Sequence, residues 1–242
     1  MDERSPDALV NKEDIGSALP VSIPSAPSGI GPALAELLKH PLWAITRLES
    51  GGPILPSLRL LTGGAVCFVA YGAAAGFFQG GAQVGLAAMK APLIVLASLL
   101  LCAPSFFVFG SLAGADLSGR QVAGLLSAFG GMLGVLLLGL LPIAWLFSFS
   151  TSSLIFATWL HVLAWAIALW FGWRFFTLAF PRAPARNVAF LWTVLFTVVS
   201  FQMATILRPV LYRAPGTPVV ETGKLFFLEH LGSLKSPEPP KK

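Results

Sequence analysis

The sharpest candidate for chemistry in this chain is His161, set within the apolar run Thr158-Trp-Leu-His-Val-Leu-Ala-Trp165. Imidazole titrates near neutral pH, so such a residue can serve as a proton-responsive group. In hydrocarbon an ionisable side chain is costly and faces a bundle interior or a water-filled cavity. A second polar group follows in Gln202-Met-Ala-Thr-Ile-Leu-Arg-Pro209, which brings Gln202, Thr205 and Arg208 to the end of another apolar run. If the run bearing His161 starts near Ser152, the histidine lies ~14 Å deep; Gln202 then lies ~8 Å inside the end near Leu207. With the serine-rich turn Ser148–Ser153 on the same side, these residues form a candidate ligand-binding or proton-responsive cluster: His161, Gln202, Thr205 and Arg208. The simpler reading is a neutral histidine hydrogen-bonded to a neighbouring helix, with Gln202 doing likewise, at ~0.6–2 kcal/mol per bond. Arg208 has two readings, a side chain snorkelling to headgroups or a fixed cation holding a carboxylate, phosphate or lipid head. Pro209 should stop or bend the helix there.

Catalytic patterns are missing from the sequence. It contains no His-Glu-x-x-His, Gly-x-Ser-x-Gly, P-loop or Cys-x-x-Cys pattern. The apolar runs carry no carboxylate, which speaks against paired-acid catalysis and against ion-coupled pumping. A serine–histidine hydrolase would need Ser105, or a serine near Ser150, to meet His161. The expectation is a chain without catalytic residues, metal or cofactor.

Five long apolar stretches must position these groups: Leu58–Phe78, Ala91–Leu112, Val122–Phe147, Leu154–Phe176 and Val188–Leu207. Each has the ~20 residues needed to cross a ~30 Å hydrocarbon layer as a helix. Of the 242 residues, 55% are hydrophobic and 11% charged, whereas soluble domains carry about 25% charge. The runs are continuous rather than alternating, so helices rather than a barrel satisfy the backbone in lipid. The predicted fold is all-α: a polytopic transmembrane bundle of five helices over 58–211, with a short N-terminal amphipathic interfacial helix over 33–50. Residues 1–32 read as a disordered tail and 212–242 as a second tail, with an amphipathic segment from Val219 to Leu234.

Seven Lys and Arg residues (Lys39, Arg47, Arg59, Arg120, Arg174, Arg182 and Arg186) fall on one side of this topology. Lys90, Arg208, Arg213 and Lys224 fall on the other. The bias predicts a cytoplasmic N-terminus. The net charge of +5 is scattered over span ends and tails, which suits anionic headgroups and not nucleic acid. The expected partners are the lipid bilayer, other membrane proteins, and further copies of the chain. Cys67 and Cys102 lie inside spans and read as small buried residues. Pro104 and Pro142 should kink their helices. Gly72/Gly76, Gly110/Gly114 and Gly130/Gly134 match G-x-x-x-G and allow close helix approach within the bundle. Of Trp159, Trp165, Trp170 and Trp173, the last sits beside Arg174 as in an interfacial aromatic belt.

The entry segment Leu38-Lys-His-Pro-Leu-Trp43 and five closely spaced spans resemble the Yip (Rab/Ypt-interacting) type of membrane protein over roughly residues 33–211. The chain is also similar to uncharacterised bacterial inner-membrane proteins of this architecture. Their second span opens like Lys90-Ala-Pro-Leu93 and continues like Cys102-Ala-Pro-Ser-Phe-Phe107. Their third span ends like Pro142-Ile-Ala-Trp145 and the last like Gln202-Met-Ala-Thr-Ile-Leu-Arg-Pro209. The resemblance implies a bacterial inner-membrane protein and brings no catalytic residues; the vesicle-trafficking role of eukaryotic Yip proteins has no counterpart in these residues. The functional expectation is a non-enzymatic scaffold or accessory subunit. The alternative is a small transporter, channel or lipid-handling protein using the polar cluster.

Overall fold

A computed structural model describes residues 29–41, 45, 55–78, 80–115, 117–180 and 182–207. They form six helices: α1 (Ile30–Lys39), α2 (Leu55–Gly76), α3 (Ala82–Leu112), α4 (Gly119–Ser150), α5 (Leu154–Ala179) and α6 (Ala183–Ile206). The last five are long and apolar enough to cross a membrane. The fold is therefore the expected all-α assembly of five candidate spans behind a short first helix.

Local chemistry sets the boundaries. Gly80 and Gly81 carry φ of 74° and 57° between α2 and α3, a left-handed backbone that glycine accepts without a Cβ clash. The start of α4 is a capping box: the Gln121 N–H donates to Ser118 Oγ, and the Ser118 N–H donates to Gln121 Oε1 at 2.7 Å. This satisfies two N–H groups that a helix start otherwise leaves open. At the start of α5 the Phe156 N–H donates to Ser153 Oγ.

In lipid, apolar side chains gain little by leaving one apolar medium for another, so close packing holds helices together. The most extensive interface joins α2 to α4. A Cβ placed on Gly64 would lie 2.9 Å from the Gly130 carbonyl oxygen, and one on Gly134 would lie 2.7 Å from the Gly64 carbonyl oxygen. The two backbones touch there. On its other side α2 meets α3, where Gly72 and Gly76 abut Ala87 and Val84. Gly72/Gly76 and Gly130/Gly134 thus serve packing within the bundle. Gly110/Gly114 does not: Gly110 faces the Leu117 side chain, and Gly114, at φ 77°, belongs to the α3–α4 turn.

Helix α3 packs on α6, and α5 bridges α4 and α6. Their shared core is aromatic. Phe129 stacks on Phe176 at 5.0 Å, and Trp192 meets Phe106 edge-on at 4.8 Å. Gly172 leaves room for the Phe129 ring against α5. The indole Nε1–H of Trp192 donates to the Cys102 carbonyl at 2.9 Å, beside Pro104, tying α6 to α3. Cys67 and Cys102 are buried and free, as expected.

One sequence expectation changes. Helix α3 begins at Ala82, not Ala91, so Lys90 is no loop residue: it is 6% exposed on the core-facing stripe with Gln83, Ala87 and Ile94. The segment before Ala91 is helical although its Ala and Gly residues contribute little hydropathy. It also places Pro92 inside the helix, alongside Pro104. The first helix ends at Lys39. Its Ala33 and Leu37 are buried, and Leu34 reaches the Cβ positions of Gly63 on α2 and Gly131 on α4, so this face is covered by the bundle. Residues 1–28, most of 42–54 and the segment from Arg208 onward, including Val219–Leu234, lie outside the described residues.

The glycine seam is testable by contrast. Gly134→Ala should lower unfolding stability in detergent by about 1–3 kcal/mol, the usual cost of overpacking. Gly139→Ala, whose Cβ meets nothing within 4 Å, should leave stability unchanged or raise it slightly, since alanine favours helix. Unfolding in denaturing detergent, followed by circular dichroism, reads both. Equal losses in the two variants would refute the seam.

Candidate functional site

His161 lies in the second turn of α5 and is 8% exposed. Its Nδ1 is 2.8 Å from the hydroxyl of Tyr71 on α2. Its Nε2 is 3.3 Å from Ser148 Oγ in the last turn of α4. A neutral imidazole carries one donor and one acceptor nitrogen, and the two hydroxyls complement either tautomer. The phenol is the stronger donor and makes the shorter contact, so we assign Tyr71 O–H donating to Nδ1 and Nε2–H donating to Ser148 Oγ. The Tyr71 and His161 rings stand edge-on, 5.5 Å apart at 89°. One turn away Phe68 and Trp165 stack at 6.3 Å, so the α2–α5 contact passes from polar to apolar along the same faces.

The helices dictate this arrangement. The glycine seam fixes α2 beside α4, which brings Tyr71 and Ser148 to one end of the bundle. The Thr151–Ser153 turn then returns the chain, so that His161 enters between them. A buried tyrosine hydroxyl needs a partner, and a buried histidine has two ring nitrogens to satisfy. Tyr71 and His161 satisfy each other, and Ser148 takes the second ring nitrogen.

The other sequence-derived candidates sit differently. Thr205 is buried, and its hydroxyl donates to the Phe201 carbonyl of its own helix at 2.9 Å. Gln202 is half-buried on α6. Among the described residues no hydrogen bond joins either to His161, and Arg208 lies outside them. Ser148 belongs to α4 rather than to the turn. Sequence reasoning did not bring in Tyr71, whose signal was available: it is the one tyrosine within an apolar span. Lys90 was read as a flanking charge and Gln83 went unread, although both are buried and fall seven residues apart on one helix face. Two buried groups lack a hydrogen-bond partner among the described residues, Ser200 Oγ and Trp173 Nε1. No group of three or more His, Cys, Asp or Glu among the described residues could hold a metal ion.

Chemically, the Tyr71–His161–Ser148 array is a closed chain of neutral donors and acceptors spanning three helices. It can hold those helices in register, and each internal bond of this type contributes about 0.6–2 kcal/mol. A double-mutant cycle on Tyr71→Phe and His161→Phe should therefore show a coupling of about 0.6–1.7 kcal/mol in detergent unfolding. Strict additivity would mean that the bond carries no stability.

Comparison of the chain with protein-family models, curated proteins and solved structures gives no match. What stands on the sequence and the fold is a polytopic membrane protein with five candidate spans.

Proposed function

We propose that this chain is a non-catalytic integral membrane protein serving as a scaffold or accessory subunit of a membrane-bound process. The reading includes a Yip-like architecture in a bacterial inner membrane, with the N-terminus cytoplasmic. One observation carries it: the most chemically capable residue, His161, has both ring nitrogens engaged by Tyr71 and Ser148 inside the bundle. A transport or ligand site would be expected to leave such a group facing a cavity.

The Ser148–His161 contact also invites a hydrolytic reading, because a serine beside a histidine base is the core of a nucleophilic pair. Two features weigh against it. Ser148 is 2% exposed, which leaves little room for a substrate carbonyl to approach. The third partner is a phenol rather than a carboxylate, so an imidazolium formed during attack would lack the anion that stabilises it in a triad.

The test is recovery of the full chain from membranes in mild detergent after crosslinking, combined with His161→Ala, Gln202→Ala and Arg208→Ala. A scaffold should co-purify with defined membrane proteins, and the three variants should keep that association. Recovery of the chain alone, with loss of flux or ligand binding in the three variants, would reverse the assignment toward transport.

A further inference from the structure

The hairpin joining α5 to α6 gathers three exposed arginines at one end of the bundle. Arg174 lies in the penultimate turn of α5, Arg182 is the N-cap of α6, and Arg186 lies one turn further on. All three are exposed, and none of their guanidinium groups makes a hydrogen bond or ion pair among the described residues; their bonds are backbone ones, Arg186 N–H to the Arg182 carbonyl and Thr177 Oγ1–H to the Arg174 carbonyl. The one carboxylate among those residues is Glu36, on α1. No described residue therefore pairs with their positive charge.

The faces that carry these arginines are not otherwise polar. On α5, Trp170, Trp173 and Arg174 share one face at helical spacing. On α6, Arg186 and Phe190 do the same. The Trp173 and Phe190 rings touch across the two helices at 5.6 Å, and Trp170 meets Trp173 at 5.0 Å. This contact sets the two faces side by side, with Trp170 and Phe190 one turn deeper than Arg174 and Arg186. Trp170 and Phe190 are 56% and 52% exposed. The result is a cationic rim above an aromatic shelf. N-cap Arg182 supplies no side-chain cap bond to α6, so the positive end of that helix dipole adds to the rim.

We propose that the α5–α6 hairpin end is a binding site for an anionic phospholipid, with Arg174, Arg182 and Arg186 holding its phosphate and Trp170 and Phe190 receiving its first acyl segment. The chemistry matches at both levels. Guanidinium pairs with phosphate oxygens through parallel N–H donors, and aromatic rings favour the zone just beneath the headgroups. A free phosphate ion would use the rim but not the shelf, whereas a zwitterionic lipid would bring a cation of its own against the arginines.

The experiment uses the full chain in mild non-ionic detergent, equilibrated with equal amounts of phosphatidylglycerol and phosphatidylcholine and read by native mass spectrometry. Wild type should retain phosphatidylglycerol preferentially. Arg174→Gln and Arg186→Gln should each weaken retention about fivefold, the effect of one basic residue near an anionic surface. Arg120→Gln, an equal charge change in another exposed arginine, should leave it within error. Equal retention of the two lipids by wild type, or an equal loss in Arg120→Gln, would overturn the proposal. A competition on wild type alone avoids reliance on variant folding: soluble short-chain phosphatidylglycerol should displace the bound lipid, and inorganic phosphate at the same concentration should not. Equal displacement by phosphate would assign the rim to free anions and reject the lipid.

Discussion

The contact of α2 with α4 at Gly64, Gly130, Gly131 and Gly134 is the constraint on which the remaining structure depends. A membrane bundle cannot rely on expelling water from its interior; it needs surfaces that fit. Removing side chains along one seam lets two backbones meet, and the fit then leaves no room for even a methyl group at Gly64 or Gly134. Once that seam is set, the placing of the others follows. Helix α3 lies against the second glycine pair of α2, and α1 covers the seam where Leu34 reaches Gly63 and Gly131. Helices α5 and α6 complete the assembly around Phe129, which projects from α4.

The two ends of the bundle are held by different physics. Towards the α5–α6 turn, Phe106, Phe129, Phe176, Trp192 and Phe196 from four helices form a buried aromatic core. Its one interhelical hydrogen bond among the described residues runs from the Trp192 indole to the Cys102 carbonyl. At the opposite end, α2, α4 and α5 are joined by directional bonds through His161. Aromatic contacts tolerate small adjustments of angle, whereas a histidine bonded on both nitrogens fixes rotation as well as distance. The polar end therefore specifies register, and the aromatic end supplies bulk.

Much of the fold was legible in the sequence because hydropathy is a local signal. The five spans, the glycine pairs of α2 and α4 and the unusual placement of His161 all follow from residues read in order. The partners of His161 were less accessible. Tyr71 lies 90 positions away, and no periodicity announces a contact over that distance. The nearest polar groups by depth, Gln202 and Thr205, were a reasonable inference, but depth does not determine which way a side chain points on its helix. Lys90 was misplaced for a related reason. A charged residue after a stretch rich in alanine and glycine reads as a span boundary, yet the helix has already run two turns, and the lysine lies on its buried stripe.

The unequal lengths of two touching helices carry a consequence for the surrounding bilayer. Helices α2 and α4 run in the same direction and share the glycine seam, but α2 has 22 residues and α4 has 32. At 1.5 Å per residue they differ by roughly 15 Å, and the seam prevents α4 from absorbing the excess by tilting away independently. Over the described residues, the two partners of the seam therefore differ in height. Lipids beside α4 must stretch, or its ends must stand clear of the hydrocarbon, while those beside α2 need not; each ångström of mismatch costs a fraction of a kcal/mol.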